Sequence, residues 1–242
     1  MNELPDNHRR WVANYCGGKI EELQYHLAAI VTACDTSINL FTSNQQVPES
    51  NSQAVIYGFS SFTNVIQTLK DSIKTVTGKQ LPWSKIQQLS HGSFFQDARN
   101  AATHDGNPVI NAWVDGRYYV ANKIVRLGDR GQVIEIPAPN NDVRTLCLEF
   151  ADDFCQLLRQ KLLETKESSS LEGTPFKMAD LEEAFTNFNL IPDFAIQLFT
   201  KEKERIAESL KDSKHDPVAQ AIARLDTLLK YINEQRKTAQ RI

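Results

Sequence analysis

The most informative segment of the chain is a short predicted helix, which reads Ser93-Phe94-Phe95-Gln96-Asp97-Ala98-Arg99-Asn100-Ala101-Ala102-Thr103-His104-Asp105-Gly106. Ser93 is suited to cap the helix N-terminus, and the pair Asp105-Gly106 is typical of a helix end. Between these signals the segment carries one fixed cation, Arg99, and one titratable base, His104. The other predicted elements are arranged before and after this helix.

Two long amphipathic helices are predicted before this segment. The first covers residues 19–41, where apolar residues recur at steps of three and four, and the chain enters it through Gly17-Gly18. The second has the same periodicity over residues 55–76 and stops at Gly78. The polar stretch between them, residues 42–53, contains a proline and predicts a loop. We therefore expect the two helices to pack antiparallel.

A different pattern follows the short helix. Asp115-Gly116 separates two runs of strand-forming residues and is a strong hairpin signal, and a second pair of such runs flanks residues 128–131. Residues 108–138 therefore predict a small antiparallel β-meander of three or four strands. Asp142 is then suited to cap a helix whose apolar residues continue to about residue 165. This helix is the predicted fourth member of an antiparallel four-helix bundle, with the meander inserted before it.

The C-terminal part of the chain predicts a helical extension. A linker with three consecutive serines covers residues 166–174, and helical patterns follow within residues 175–242. Asp216-Pro217 places a proline at the start of the last helix, where its missing N–H donor costs little. The prediction for the whole chain is a mainly α fold with a bundle domain over residues 1–165, the linker and the extension.

Composition narrows the classes of function. The formal net charge is −3, and no basic tail or block predicts a dedicated nucleic-acid-binding surface. The four cysteines show neither a Cys-x-x-Cys pair nor a cluster with histidine, so no zinc site or disulfide framework is indicated and no cofactor is expected. Because neither a signal peptide nor a membrane-spanning apolar run is seen, we expect a cytoplasmic protein that does not enter membranes.

Three side chains of the short helix carry its candidate chemistry. Asn100 and His104 share a helix face, whereas Arg99 lies about 140° around the axis from His104. Histidine titrates near neutrality and arginine binds phosphate, so the helix offers a titratable base and a fixed cation suited to anions.

The order Arg99, Asn100, three further residues and His104, on a helix between two long helices and a fourth one, resembles the signature of the HEPN superfamily. The resemblance covers roughly residues 10–165, and the inserted meander departs from a minimal member. It implies a metal-independent endoribonuclease that acts on RNA in a prokaryotic defence system, as a toxin of a toxin–antitoxin pair or in phage defence. It also implies a homodimer, in which Arg99 of one copy meets His104 of the other, and a protein partner such as an antitoxin.

The resemblance also gives the three side chains their expected roles. Metal-free RNA cleavage needs a base for the 2′-hydroxyl proton, positive charge for the phosphorane-like transition state and an acid for the leaving oxygen. His104 is therefore the predicted acid or base, Arg99 is the predicted phosphate clamp, and Asn100 is expected to orient one of them.

A second interpretation stays open. The superfamily includes members without catalysis, and a histidine in the last turn of a helix is favourable there through the helix dipole alone. The alternative to the endoribonuclease is a non-catalytic interaction or dimerisation module, whose meander and C-terminal helices contact a partner. The two interpretations differ in geometry, because an active site requires Arg99 and His104 to be accessible and to converge on one cleft. A structural role would bury them in separate hydrogen bonds.

Overall fold

The structure is a computed structural model that describes residues 6–128, 131–165, 171, 174–175, 178–187, 190–211 and 214–239. Its helices are α1 (Asp6–Thr42), α2 (Glu49–Thr77), α3 (Trp83–Ile86), α4 (Gly92–Asp105), α5 (Val143–Leu163), α6 (Met178–Asn187), α7 (Asp193–Leu210) and α8 (Pro217–Ala239). Its strands are β1 (Ala112–Val114), β2 (Arg117–Tyr119), β3 (Ile124–Leu127), β4 (Val133–Ile136), β5 (Thr174–Pro175) and β6 (Lys214–His215). The prediction of a mainly α fold is confirmed.

The first two helices form an antiparallel pair. Arg9 on α1 donates from Nη2 to the carbonyl of Val76 at 2.9 Å, near the end of α2. At the opposite end of the pair, Asn51 Nδ2 donates to the carbonyl of Ala33 at 2.9 Å. Gly78 ends α2 with φ +68°, as its position in the sequence predicts. The start of α2 differs from the prediction, because the helix begins at Glu49 and takes up the last residues of the predicted loop.

The helix α1 runs through the glycine pair at which it was predicted to begin. Ala13 and Cys16, upstream of the pair, are buried and continue the apolar face of the helix. A Cβ atom on Gly17 would lie 1.9 Å from Nη1 of Arg224 on α8. Gly17 therefore leaves room for the end of the Arg224 side chain against α1, and the helix continues through a residue of low helix propensity.

The last helix packs into the same core as the bundle helices. The α8 side chains that face α1 and α5 are fully buried, and they are Leu225, Leu228 and Ile232. Arg159 Nε on α5 lies 2.5 Å from Asp226 Oδ1 on α8, and Arg236 near the end of α8 pairs with Asp152 near the middle of α5. The two helices are therefore antiparallel. The predicted linker falls mostly on residues 166–170 and 172–173, which lie outside the described residues.

The strands after α4 form two separate hairpins instead of one meander. β1 pairs with β2 across the predicted Asp115-Gly116 turn, and β3 pairs with β4. No pairing joins β2 to β3 within the described strands. The reason is that the hairpins rest on different helices: β2 contacts α1 and α5, whereas β3 and β4 contact α4. A side chain extends the first hairpin beyond its strands, because the N–H of Ala121 after β2 donates to Oδ1 of Asn111 before β1 at 2.7 Å.

An aromatic cluster fixes α4 against the bundle. Phe95 is fully buried and stacks on Phe150 of α5 with ring centroids 4.1 Å apart. It also contacts Phe59 and Phe62 of α2, at centroid distances of 5.7 and 5.9 Å. Burying a side chain of this size stabilises the fold by about 1.5–3 kcal/mol. The inner face of α4 is therefore packed against both α2 and α5, and its outer face carries the polar residues.

Candidate functional site

The two ends of α4 are fixed by different means. The prediction that Ser93 caps the helix is wrong, because the helix begins at Gly92 and the residue before it, His91, has φ +59° and makes no capping side-chain bond. Instead His91 Nε2 lies 2.7 Å from Glu149 Oε2, which ties the start of α4 to α5. At the other end Gly106 takes φ +65° and its N–H donates to the carbonyl of Ala101, a left-handed cap as predicted.

The structure brings Arg99 and Asn100 together on α4. Arg99 is partly buried, and its Nη1 donates to Asn100 Oδ1 at 3.0 Å. Asn100 lies one turn before His104 on the same helix face. The hydrogen bond therefore directs the guanidinium toward the face that carries the histidine, which reduces the angular separation that the helix imposes.

His104 is exposed in the last turn of α4. It makes no hydrogen bond or ion pair with any residue that the structure describes, and it does not contact Arg99 within the chain. Of the three predicted site residues, the chain therefore pairs Arg99 with Asn100 and leaves His104 one turn away. This arrangement leaves the imidazole accessible from outside the molecule.

The charge of Arg99 has no carboxylate partner among the described residues. Its Nε atom is enclosed and has no hydrogen-bond acceptor. Arginines that do pair with carboxylates are found on every side of the bundle, and they are Arg117, Arg126, Arg144, Arg159, Arg205, Arg224 and Arg236. A shielded arginine is normally neutralised in this way. Arg99 is thus a partly buried cation held by one neutral amide.

Two acidic residues of α4 that the sequence analysis did not name as site residues flank the site. Asp105 accepts from Arg126 Nε of β3 at 2.8 Å, which fixes the second hairpin beside the end of α4. Burial raises the pKa of the Asp97 carboxyl, and the nearby Arg126 charge opposes that rise. Asp97 lies seven residues before His104 and so shares its face. That spacing is a signal from which the sequence could have identified Asp97.

The four cysteines are free and buried. Burial raises the pKa of the Cys16 thiol to about 12 and raises the pKa of Cys34, Cys147 and Cys155 further. These thiols are therefore protonated, unreactive core groups.

Among the residues that the structure describes, no group of His, Cys, Asp or Glu side chains is arranged to hold a metal ion. Nor does any helix in the described ranges have the length and apolar character needed to cross a membrane.

In comparisons of the chain with protein-family models, with curated proteins and with solved structures, nothing matches.

Proposed function

We propose that this chain is a metal-independent endoribonuclease of the HEPN type, with a composite site formed by two copies of α4. The observation that carries the proposal is the state of Arg99, which is partly buried and lacks a carboxylate partner in the described chain. A cation in that state favours an anion from outside, and guanidinium groups match the geometry of phosphate oxygens. The exposed His104 lies one turn from the amide that holds this cation.

The proposed reaction uses these groups in sequence. The 2′-oxygen of a ribose attacks the adjacent phosphorus, and one His104 imidazole accepts the proton that this oxygen loses. Arg99 stabilises the negative charge that develops on the phosphoryl oxygens, and Asn100 keeps the guanidinium aimed at them. The bond from phosphorus to the 5′-oxygen then breaks, and an imidazolium returns a proton to that oxygen. The products are a 2′,3′-cyclic phosphate and a free 5′-hydroxyl.

A dimer of the chain would supply separate histidines for the base and the acid of the reaction. A single His104 would have to act as base and acid in turn, whereas a two-fold axis beside α4 places two imidazoles and two guanidiniums around one cleft. The outer face of α4 suits such an axis, because Asn100 and His104 both lie on it. The proposal includes a role in prokaryotic defence, with an antitoxin or another protein as the regulator of the exposed cleft.

The test incubates the purified full chain with RNA in the presence of a chelator. We expect cleavage that leaves cyclic phosphate ends and that falls by about 10²–10⁴-fold in His104→Ala and by about 10²–10³-fold in Arg99→Ala. Matched controls are His8→Ala and Arg205→Ala, which remove an exposed histidine and an exposed arginine from other helices. Cleavage that survives in either site variant, or that is lost equally in the controls, contradicts the proposal.

A non-catalytic interaction module is the second candidate, and a different surface favours it. The segment that leads into α7 and the first turns of α7 expose large apolar side chains: Leu190 is 84% exposed, Phe194 70% and Leu198 57%. Adjacent exposed apolar groups of this size are typical of protein contact sites. If the unmutated chain leaves RNA intact while substitution of Phe194 and Leu198 by serine abolishes association with a protein partner, this second function is the correct one.

A further inference from the structure

A small cavity lies directly beside the C-terminal end of α4. It has a volume of about 200 Å³, is partly open to solvent, and lies between α2 and the chain that follows His104. We call it the α2–α4 pocket, and its lining residues include Ile56, Tyr57, Ser60, Ala102 and Asn107. The pocket is smaller than a typical drug-sized site, so it suits one flat ring.

The α2–α4 pocket combines an apolar lining with two uncommitted polar groups. Asn107 Oδ1 accepts from the N–H of Val109 at 3.0 Å, and an N–H can donate only to the amide oxygen. The amide nitrogen of Asn107 therefore stays available, since it bonds to nothing in the described chain. The Ser60 hydroxyl is likewise without a hydrogen bond to any described residue. Both groups can donate to a ligand, and a ligand pocket uses a few such groups to fix orientation.

An exposed aromatic ring stands at the rim of this pocket. Tyr57 is on α2, is 64% exposed, and its hydroxyl has no partner among the described residues. Aromatic side chains that stay out of the core beside a cavity are suited to stacking on the face of a planar ligand. Unstacked bases of single-stranded RNA are recognised in this manner, by stacking and by hydrogen bonds to their edges.

The backbone that closes the pocket is strained. Val109 has φ +23°, which is rare for a β-branched residue, and its side chain is buried with 2% exposure. The Asn107 side chain holds this conformation through its bond to the Val109 N–H. Strain that local bonds maintain is often found where a backbone shapes a functional site. Here the strained residue and the asparagine that bonds to it are both part of the pocket lining.

We propose that the α2–α4 pocket binds one base of single-stranded RNA, and that this base presents carbonyl oxygens, as uracil does. The inference rests on the proposed function, because the pocket begins two residues after His104 and would hold the nucleotide next to the scissile phosphate. The free Asn107 amide nitrogen and the Ser60 hydroxyl donate to the carbonyl oxygens, while Tyr57 stacks on the ring. Adenine, which carries no carbonyl oxygen, fits this set of donors less well.

The test measures binding instead of cleavage. Fluorescence anisotropy of labelled short oligouridylate and oligoadenylate is recorded with the full chain carrying His104→Ala, and a gel verifies that the RNA stays intact. We expect the uridylate to bind more tightly, and Tyr57→Ala to weaken its binding by about 5- to 100-fold. Tyr57→Phe should retain most of the affinity because it keeps the ring. Asn107→Asp keeps the acceptor for Val109 and removes the donor, so it should weaken uridylate binding about tenfold.

Tyr15→Ala is the matched control, because Tyr15 is 70% exposed on α1 and does not line the pocket. The proposal is overturned if Tyr57→Ala binds uridylate like the control, if Asn107→Asp has no effect, or if neither RNA binds. Equal affinity for the two RNAs overturns the choice of base. A failure of the proposed function alone can be distinguished from these outcomes. The unmutated chain would then bind uridylate through Tyr57 and still leave RNA uncut.

Discussion

Arg144 on α5 and Arg99 on α4 are shielded cations on neighbouring helices, yet their surroundings differ. Arg144 is 4% exposed, and its Nε donates to Asp35 Oδ1 at 2.6 Å while its Nη2 donates to the Gln235 carbonyl at 3.3 Å. It thereby joins α5 to α1 and to α8. Arg99 bonds only to the neutral amide of Asn100 among the described residues. The first cation is neutralised by the fold, and the second has no carboxylate partner among the described residues.

Removing the counter-ion of Arg144 is expected to have the largest effect. Asp35→Ala leaves a buried guanidinium without a carboxylate, and uncompensated buried charges cost about 3–5 kcal/mol of unfolding free energy. The measurement is the urea midpoint of the purified chain, together with hydrogen exchange in α8, which Arg144 contacts through Gln235. The control Glu135→Ala breaks the exposed Lys123–Glu135 pair and should cost less than about 1 kcal/mol. Equal shifts in the two variants would contradict the contrast between the two arginines.

Substitution of Arg99 by alanine should have the opposite effect. It should change the free energy of unfolding little, and it should abolish anion binding. Inorganic phosphate that binds only the folded chain stabilises it by about 1.4 kcal/mol at ten times its dissociation constant. We expect this stabilisation in the unmutated chain and its absence in Arg99→Ala, measured as the shift of the unfolding midpoint with added phosphate. The control Arg159→Ala removes an arginine that Asp226 neutralises, and it should keep the phosphate response. A phosphate effect that persists without Arg99 would show that another site binds the anion.

The secondary structure was predictable where local signals decide it. The periodic helices, the turn at Asp115-Gly116, the Gly78 and Gly106 ends and the Asp142 cap, which accepts from the Thr145 N–H at 3.2 Å, all rest on neighbouring residues. Two of the errors coincide with contacts between residues that are distant in sequence. Arg224 of α8 lies against Gly17, where α1 continues, and His91 bonds to Glu149 of α5 just before α4 starts at Gly92.

In the candidate site, too, the features set by neighbouring residues were predictable and those set by distant residues were not. Arg99, Asn100 and His104 were identified from spacing, and the bond between the first two joins adjacent residues. The unneutralised charge of Arg99 was not predictable, because Asp97 and Asp105 lie close to it in sequence and either could have been its partner. The structure assigns Asp105 to Arg126 on the inserted hairpin, a contact across 21 residues. Only the three-dimensional arrangement shows that Asp105 pairs with Arg126 and not with Arg99.

The smallest expected effect concerns the pH dependence of stability around α4. Burial raises the pKa of Asp97, with the Arg126 charge acting against it, so the folded chain holds its proton to a higher pH than the unfolded chain does. The free energy of unfolding therefore falls as the pH rises from the ordinary aspartate pKa of 3.8 to the raised pKa of Asp97 in the folded chain. Above that pH the loss of stability stays constant. Asp97→Asn removes this loss and should be slightly more stable than the unmutated chain at neutral pH, with no advantage in acid.

Asp71 on α2 provides a control of opposite sign. Burial acts to raise its pKa, but hydrogen bonds from Lys70 and Gln67 lower it overall. Its carboxylate therefore contributes stability above the ordinary pKa, and that contribution is lost as pH falls through the lowered value. Asp71→Asn should reduce stability at neutral pH, and the difference from the unmutated chain should shrink in acid. Urea unfolding of both variants at several pH values measures this, and two curves of the same sign would contradict the opposite pKa shifts of Asp97 and Asp71.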